Sequence, residues 1–184
     1  MTLWYDWSRR QLRRVWSPSR ENCGAGTVTE VSLQAGTAEL PAAEDTLALG
    51  EQLGRQLRAG DVVVLTGPLG AGKTMLAKGI ARGLDVQGPI TSPSYVLARI
   101  HRAQRSGDPS MVHVDVYRLL DSPGVDLPAE LDSLDLDTDL DDAVAVVEWG
   151  EGLAERLSEH HLDITLTRPP HSETRTAVWR WSGS

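Results

Sequence analysis

The octapeptide Gly67-Pro68-Leu69-Gly70-Ala71-Gly72-Lys73-Thr74 constrains this chain more than any other stretch, because it fits G-x-x-x-x-G-K-[ST]. The run Asp61-Val62-Val63-Val64-Leu65-Thr66 precedes it and reads as a buried strand. Met75 to Leu84 follows and reads as a helix, with Leu76, Ile80 and Leu84 on one face. Strand, glycine loop and helix in that order form a phosphate-binding unit. Glycines let the backbone curl so that successive N–H groups cradle phosphate oxygens, and the start of the helix adds partial positive charge. The spacing therefore places a nucleotide against Gly67, Leu69, Gly70, Ala71, Gly72, Lys73, Thr74 and Met75. Lys73 reaches the β- and γ-phosphates, and the Thr74 hydroxyl ligates Mg²⁺.

Composition narrows the setting. The chain has 184 residues, enough for one domain with a real core. No apolar run approaches the roughly 20 residues that span a bilayer, and the N-terminus lacks the apolar stretch of a secretory signal. One cysteine, Cys23, excludes an internal disulfide framework and a Cys-based zinc cluster. A cytoplasmic protein with no membrane association is expected. The net charge of −8 argues against a direct grip on nucleic acid, which draws most of its affinity from neutralising phosphates. Any role at RNA is expected to run through a partner.

Residues 1–33 differ from the rest, with Arg9, Arg10, Arg13, Arg14 and Arg20 beside Trp4, Trp7 and Trp16. A disordered extension is expected there, and residues 34–184 are expected to be the working domain. A strand over Thr27–Leu33 is weakly signalled. From Leu40-Pro41 the pattern suggests a helix capped by Glu44 or Asp45, carrying Leu47, Leu49, Leu53 and Leu57, and ended by Gly60. After the glycine-loop helix, Thr91, Ser92 and Ser94 lie in a Ser-Pro loop whose hydroxyls face the γ-phosphate on one reading and cap a turn on the other. Tyr95–Ile100 resumes a strand, and Arg102–Ser110 is a polar, hairpin-like loop. Gly124–Asp142 is strongly acidic, and Leu127, Leu131 and Leu134 recur at helical spacing in its first part. Gly152–Leu157 begins a short helix. His160 and His161 look like an exposed pair, and His161–Arg168 and Thr174–Trp181 alternate as an antiparallel hairpin around Pro169-Pro170. The fold expected is α/β, P-loop NTPase-like: a mainly parallel sheet flanked by helices, with an antiparallel C-terminal hairpin.

A P-loop nucleotide needs a second acidic group for Mg²⁺ or its water, usually at the carboxyl end of a neighbouring strand. Asp115 ends the run Met111-Val112-His113-Val114-Asp115, and Glu148 ends Ala143-Val144-Ala145-Val146-Val147-Glu148. Both are candidates, since neither run tolerates an unpaired charge further in. His113 reads as structural rather than as a metal ligand. The chain has lysine only at 73 and 78, so the Asn/Thr-Lys-x-Asp element of many GTPases is absent and ATP is favoured over GTP.

Four motifs in order carry a family resemblance: the glycine loop, Ser92-Pro93-Ser94-Tyr95, Asp115-Val116-Tyr117-Arg118-Leu119 and Glu148-Trp149. Over about residues 37–182 the chain resembles the TsaE (YjeE) family, the P-loop ATPases of bacterial tRNA threonylcarbamoyladenosine synthesis. The resemblance implies slow ATP hydrolysis in association with TsaD and TsaB, whose assembly modifies adenosine 37 of tRNAs reading ANN codons. The tRNA is then met only through the complex. It also implies catalytic roles for Lys73, Asp115 and Glu148, Mg²⁺ at Thr74 and Glu148, and a nucleotide contact from Ser94. Met75 stands where many members have a second threonine, and Ser94 stands for the common threonine of Ser-Pro-Thr. Two other functions fit the glycine loop alone. One is a small-molecule kinase using the Arg102/Arg105 loop as a lid, the other a nucleotide-gated binding module with little turnover.

Overall fold

A computed structural model describes residues 31–93, 98–117, 141–150 and 158–183. Among the described residues nine elements follow in order: β1 (Ala35–Leu40), α1 (Ala43–Gly54), β2 (Val62–Thr66), α2 (Lys73–Gly83), β3 (Ala98–His101), β4 (Ser110–Asp115), β5 (Ala143–Glu148), β6 (His161–Thr167) and β7 (Arg175–Ser182). The strands form one seven-stranded sheet in the order β1-β7-β6-β2-β5-β4-β3. Its centre is parallel, with β2 beside both β5 and β6, and β4 beside β5. Both margins are antiparallel: β3 pairs with β4, β7 with β6, and β1 with β7. This is the mixed α/β architecture expected from the sequence, including the C-terminal hairpin.

The near-continuous apolar runs of β2 and β5 belong at the middle of such a sheet, where both faces are covered. Alternation sorts their side chains. Val63, Leu65, Val144 and Val146 pack with Leu49, Leu53, Leu76 and Ile80 of the helices, whereas Val62, Val64 and Ala145 form a cluster on the other face. Met111 of β4 joins the helix-side cluster. His113 and Asp115, two and four residues on, therefore lie on the same face.

Several elements differ from expectation. Among the described residues the first strand is β1; Val31 and Leu33, from the end of the expected Thr27–Leu33 strand, pack on the core outside any strand, and 27–30 fall outside the described residues. Two bonds hold that chain: Trp179 Nε1–H donates to Ser32 O at 2.8 Å, and Gln56 Nε2 donates to Val31 O at 2.8 Å. Helix α1 ends at Gly54 rather than Gly60, and its N-cap is Ala42, whose N–H donates to the Asp45 carboxylate at 2.8 Å. His161 opens β6 and is buried, so only His160 of that pair is exposed. The acidic stretch 124–142, with the helix expected in its first part, and the short helix expected from Gly152 lie outside the described residues, apart from a turn at 141–142.

The two helices touch along glycines. Gly50 and Gly54 of α1 meet Gly79 and Gly83 of α2 at spacings of four. A Cβ on Gly79 would collide with the Leu47 carbonyl, and one on Gly50 with the Leu76 carbonyl. Backbone on both sides leaves nothing that can yield. Replacing Gly79 by Leu should cost about 1–3 kcal/mol or more through overpacking, and lower the melting temperature by several degrees in a calorimetric scan. An unchanged melting temperature would mean the helices are not seated this way.

Candidate functional site

The glycine loop leaves the C-terminal end of β2 and turns directly into α2. Gly67 has φ 141°, and a Cβ there would run into the Leu166 carbonyl of β6, so the loop starts pressed against the sheet. Gly72, the N-cap of α2, has φ 108°, and among the described residues no side chain caps the helix. The first N–H groups of a helix have no intrahelical partner, so those of α2 remain available to an anion. Leu69 projects from the loop tip with 78% of its surface exposed.

Lys73 is the first residue of α2 and is almost wholly buried. Its Nζ donates to the carbonyls of Gly67 at 2.6 Å and Pro68 at 3.0 Å, and lies 3.4 Å from the centre of the Trp149 ring. Burial pulls the Lys73 ammonium below the ordinary lysine range, and the carboxylates of Glu148 and Asp115 draw it part of the way back. A phosphate tail would supply the negative charge that burial makes valuable to this ammonium.

The two candidate carboxylates sit side by side. Asp115 and Glu148 are register partners across β4 and β5, and both are buried, at 7% and 2% exposure. Neither is a strand-end charge left in solvent. Glu148 Oε2 accepts the Thr74 hydroxyl proton at 2.9 Å, which links α2 to β5. Glu148 Oε1 lies 2.9 Å from His113 Nε2. Asp115 accepts from the Ser92 hydroxyl at 2.6 Å and from the Tyr117 N–H at 3.1 Å. Trp149, directly after Glu148, has φ 64°, an uncommon setting for a bulky residue. Its N–H donates to Leu65 O at 3.0 Å, and its ring packs on Tyr117 with centroids 4.8 Å apart.

Thus Lys73, Thr74, Asp115 and Glu148 come together at the C-terminal edge of the parallel strands, with Gly67, Leu69, Gly70, Ala71, Gly72 and Met75 in or just beyond the loop. Ser94 lies outside the described residues. Ser92 arrives from the Ser-Pro loop through its bond to Asp115. Two further side chains join the cluster that the sequence alone does not place there: His113 and Trp149. For His113 a signal exists, since it sits two residues before Asp115 on a strand and shares its face.

The donor set suits a hard cation. Thr74 gives its proton to Glu148 and keeps hydroxyl lone pairs for a metal, and Glu148 adds carboxylate oxygen. Among the described residues no group of three or more His, Cys, Asp or Glu side chains is placed to hold a metal. One or two protein oxygens completed by phosphates is the usual arrangement for Mg²⁺ at such loops.

Comparison with known proteins narrows the reading. The model of the family described as "Threonylcarbamoyl adenosine biosynthesis protein TsaE" matches residues 40–177, most of the chain and every element of the site. The chain belongs to the TsaE family. It is 71% identical over 149 residues to the tRNA threonylcarbamoyladenosine biosynthesis protein TsaE of Mycobacterium tuberculosis, covering 81% of this chain and 89% of that one. The Streptomyces coelicolor TsaE is 52% identical over 120 residues, or 65% of this chain and 77% of its own. The fold is similar to that of a crystal structure of Bacillus subtilis YdiB, with a TM-score of 0.61 and 25% identity over 82% of this chain and 87% of that one. As a TsaE with its glycine loop intact, the chain is a P-loop ATPase. Among the described residues of this TsaE, no helix is long and apolar enough to cross a membrane.

Proposed function

We propose that this TsaE drives formation of N6-threonylcarbamoyladenosine at position 37 of tRNAs reading ANN codons, hydrolysing ATP in the cytoplasm beside TsaD- and TsaB-like proteins. One observation carries the site reading: Thr74 of the phosphate loop is hydrogen-bonded to the buried Glu148 at the end of the adjoining strand. Residues 34–184 are the ATPase unit, and the arginine- and tryptophan-bearing stretch before them is an extension. ATP binds along Gly67–Met75, with Ser94 contributing from the following loop. Lys73 exchanges its loop carbonyls for β- and γ-phosphate oxygens. Thr74 and Glu148 are the residues that would hold Mg²⁺, directly or through water, and the bound ion would supply positive charge against the phosphates. Asp115, oriented by Ser92 and the Tyr117 N–H, positions the attacking water. The acidic chain meets tRNA only through its partners.

The kinase alternative fares poorly on geometry. The Arg102/Arg105 loop joins β3 to β4 at the N-terminal end of the central strands, whereas the site lies at their C-terminal ends. Arg105 pairs with Asp85 just beyond the C-terminus of α2, about 16 Å of helix away from the phosphate loop. A lid anchored there does not close over the γ-phosphate. The test is ATP turnover by the purified chain, alone and with TsaD and TsaB. Slow hydrolysis that rises when both partners are added is the expected result. Equal turnover in all mixtures, or phosphate appearing on a small acceptor, would overturn the assignment.

A further inference from the structure

We propose that His113 is a positioning residue for the metal-facing carboxylate, its Nε2–H fixing Glu148 so that Oε2 faces Thr74 and Mg²⁺. The inference rests on the reading of Glu148 given above. The His113 side chain has no exposed surface and that of Glu148 is 3% exposed, so neither finds water as a substitute partner. An ionised carboxylate only accepts hydrogen bonds, so the proton in the 2.9 Å contact belongs to His113 Nε2. The other ring nitrogen, Nδ1, has no hydrogen-bond partner among the described residues. With the proton on Nε2, Nδ1 is left as a lone pair, a lesser penalty than a buried N–H without an acceptor.

The two oxygens of Glu148 are thereby divided. Oε1 is taken by β4 through His113, and Oε2 is left for the phosphate-loop side through Thr74. The terminal torsion of a glutamate is broad and roughly two-fold, so the side chain alone does not choose an orientation. His113 makes that choice, and it keeps a buried charge supplied with a donor. Outer partners of this kind typically change metal affinity or activity by about 10–100-fold when removed.

Two substitutions separate positioning from mere packing. In His113→Gln the amide nitrogen falls near the place of Nε2 and still reaches Glu148. In His113→Asn it falls near Nδ1 and stops short. Calorimetric titration of ATP across a range of free Mg²⁺, and again in chelator, gives a readout that does not depend on turnover. His113→Asn should raise the half-saturating Mg²⁺ by about tenfold to a hundredfold. His113→Gln should stay within about threefold of the parent, and nucleotide affinity in chelator should be the same in all three. Equal behaviour of the two variants overturns the proposal. If His113→Asn does not fold by circular dichroism, His113→Gln decides alone, and a tenfold shift in its Mg²⁺ midpoint refutes positioning. Glu148→Gln distinguishes the two levels of argument. If it leaves the Mg²⁺ midpoint unchanged, the carboxylate is not at the metal and both readings fall. If it shifts the midpoint and His113→Asn does not, only the role of His113 is lost.

Discussion

Asp115→Asn should bind ATP with Mg²⁺ nearly as the parent does, yet slow single-turnover hydrolysis by on the order of a hundredfold or more. The variant keeps the shape of a side chain that accepts from Ser92 and from the Tyr117 backbone, and removes the charge that faces the site. A group that orients the attacking water acts mainly in the transition state, so the loss falls on rate rather than on affinity. Glu148→Gln should behave differently. It weakens the acceptor shared by Thr74 and His113, so Mg²⁺-dependent binding falls together with turnover. Both variants are compared by nucleotide affinity and single-turnover rate across a magnesium series. Rescue of Asp115→Asn, but not of Glu148→Gln, by excess Mg²⁺ would mean that the roles are exchanged. Parent-like hydrolysis by both would remove these residues from the site.

Lys73→Ala should lower ATP affinity by about tenfold to a hundredfold, as expected for loss of a charge-assisted contact worth roughly 1.5–3 kcal/mol. The lysine is held by the Gly67 and Pro68 carbonyls and by the Trp149 ring, so it is fixed at the mouth of the loop before phosphate arrives. Those carbonyl bonds are exchanged for phosphate oxygens on binding, which offsets part of the contact and keeps the expected deficit within that range. Calorimetric titration with ATP and ADP measures it. An affinity equal to the parent's would show that the ammonium does not meet phosphate.

The core of the site is legible in the sequence because its signals are local. The β2 run, the glycine spacing and the periodicity of α2 occupy one stretch. A carboxylate closing an apolar run also stands out, because burying it costs free energy unless a partner or a metal meets it. Strand β1 is not legible: Ala35-Gly36-Thr37-Ala38-Glu39-Leu40 is small and mixed, with little β preference, and pairs along the outer side of β7. The spacing extends helix α1 to Gly60 because Leu57 continues the apolar pattern. Leu57 is indeed buried, but from the irregular chain after the turn that follows the helix. The strand period puts His113 on the face of Asp115, but His113 reads as merely structural because its partner lies 35 residues away on another strand. Trp149 is visible as part of a motif, but its packing on Lys73 depends on β5 lying parallel beside β2, which no spacing encodes.

The shared register of β4 and β5 also decides where this gene can change length. His113 and Asp115 face Val146 and Glu148 across the ladder, rung for rung. A one-residue deletion between Ser110 and His113 would turn every following side chain to the opposite face, presenting Val114 and Val116 where the histidine and carboxylate now stand. The exposed turn at 104–108, with Gly107 at φ 95° and open space around it, imposes no such count. Insertions are therefore absorbed at that turn, and the strand beside it has to be inherited at fixed length.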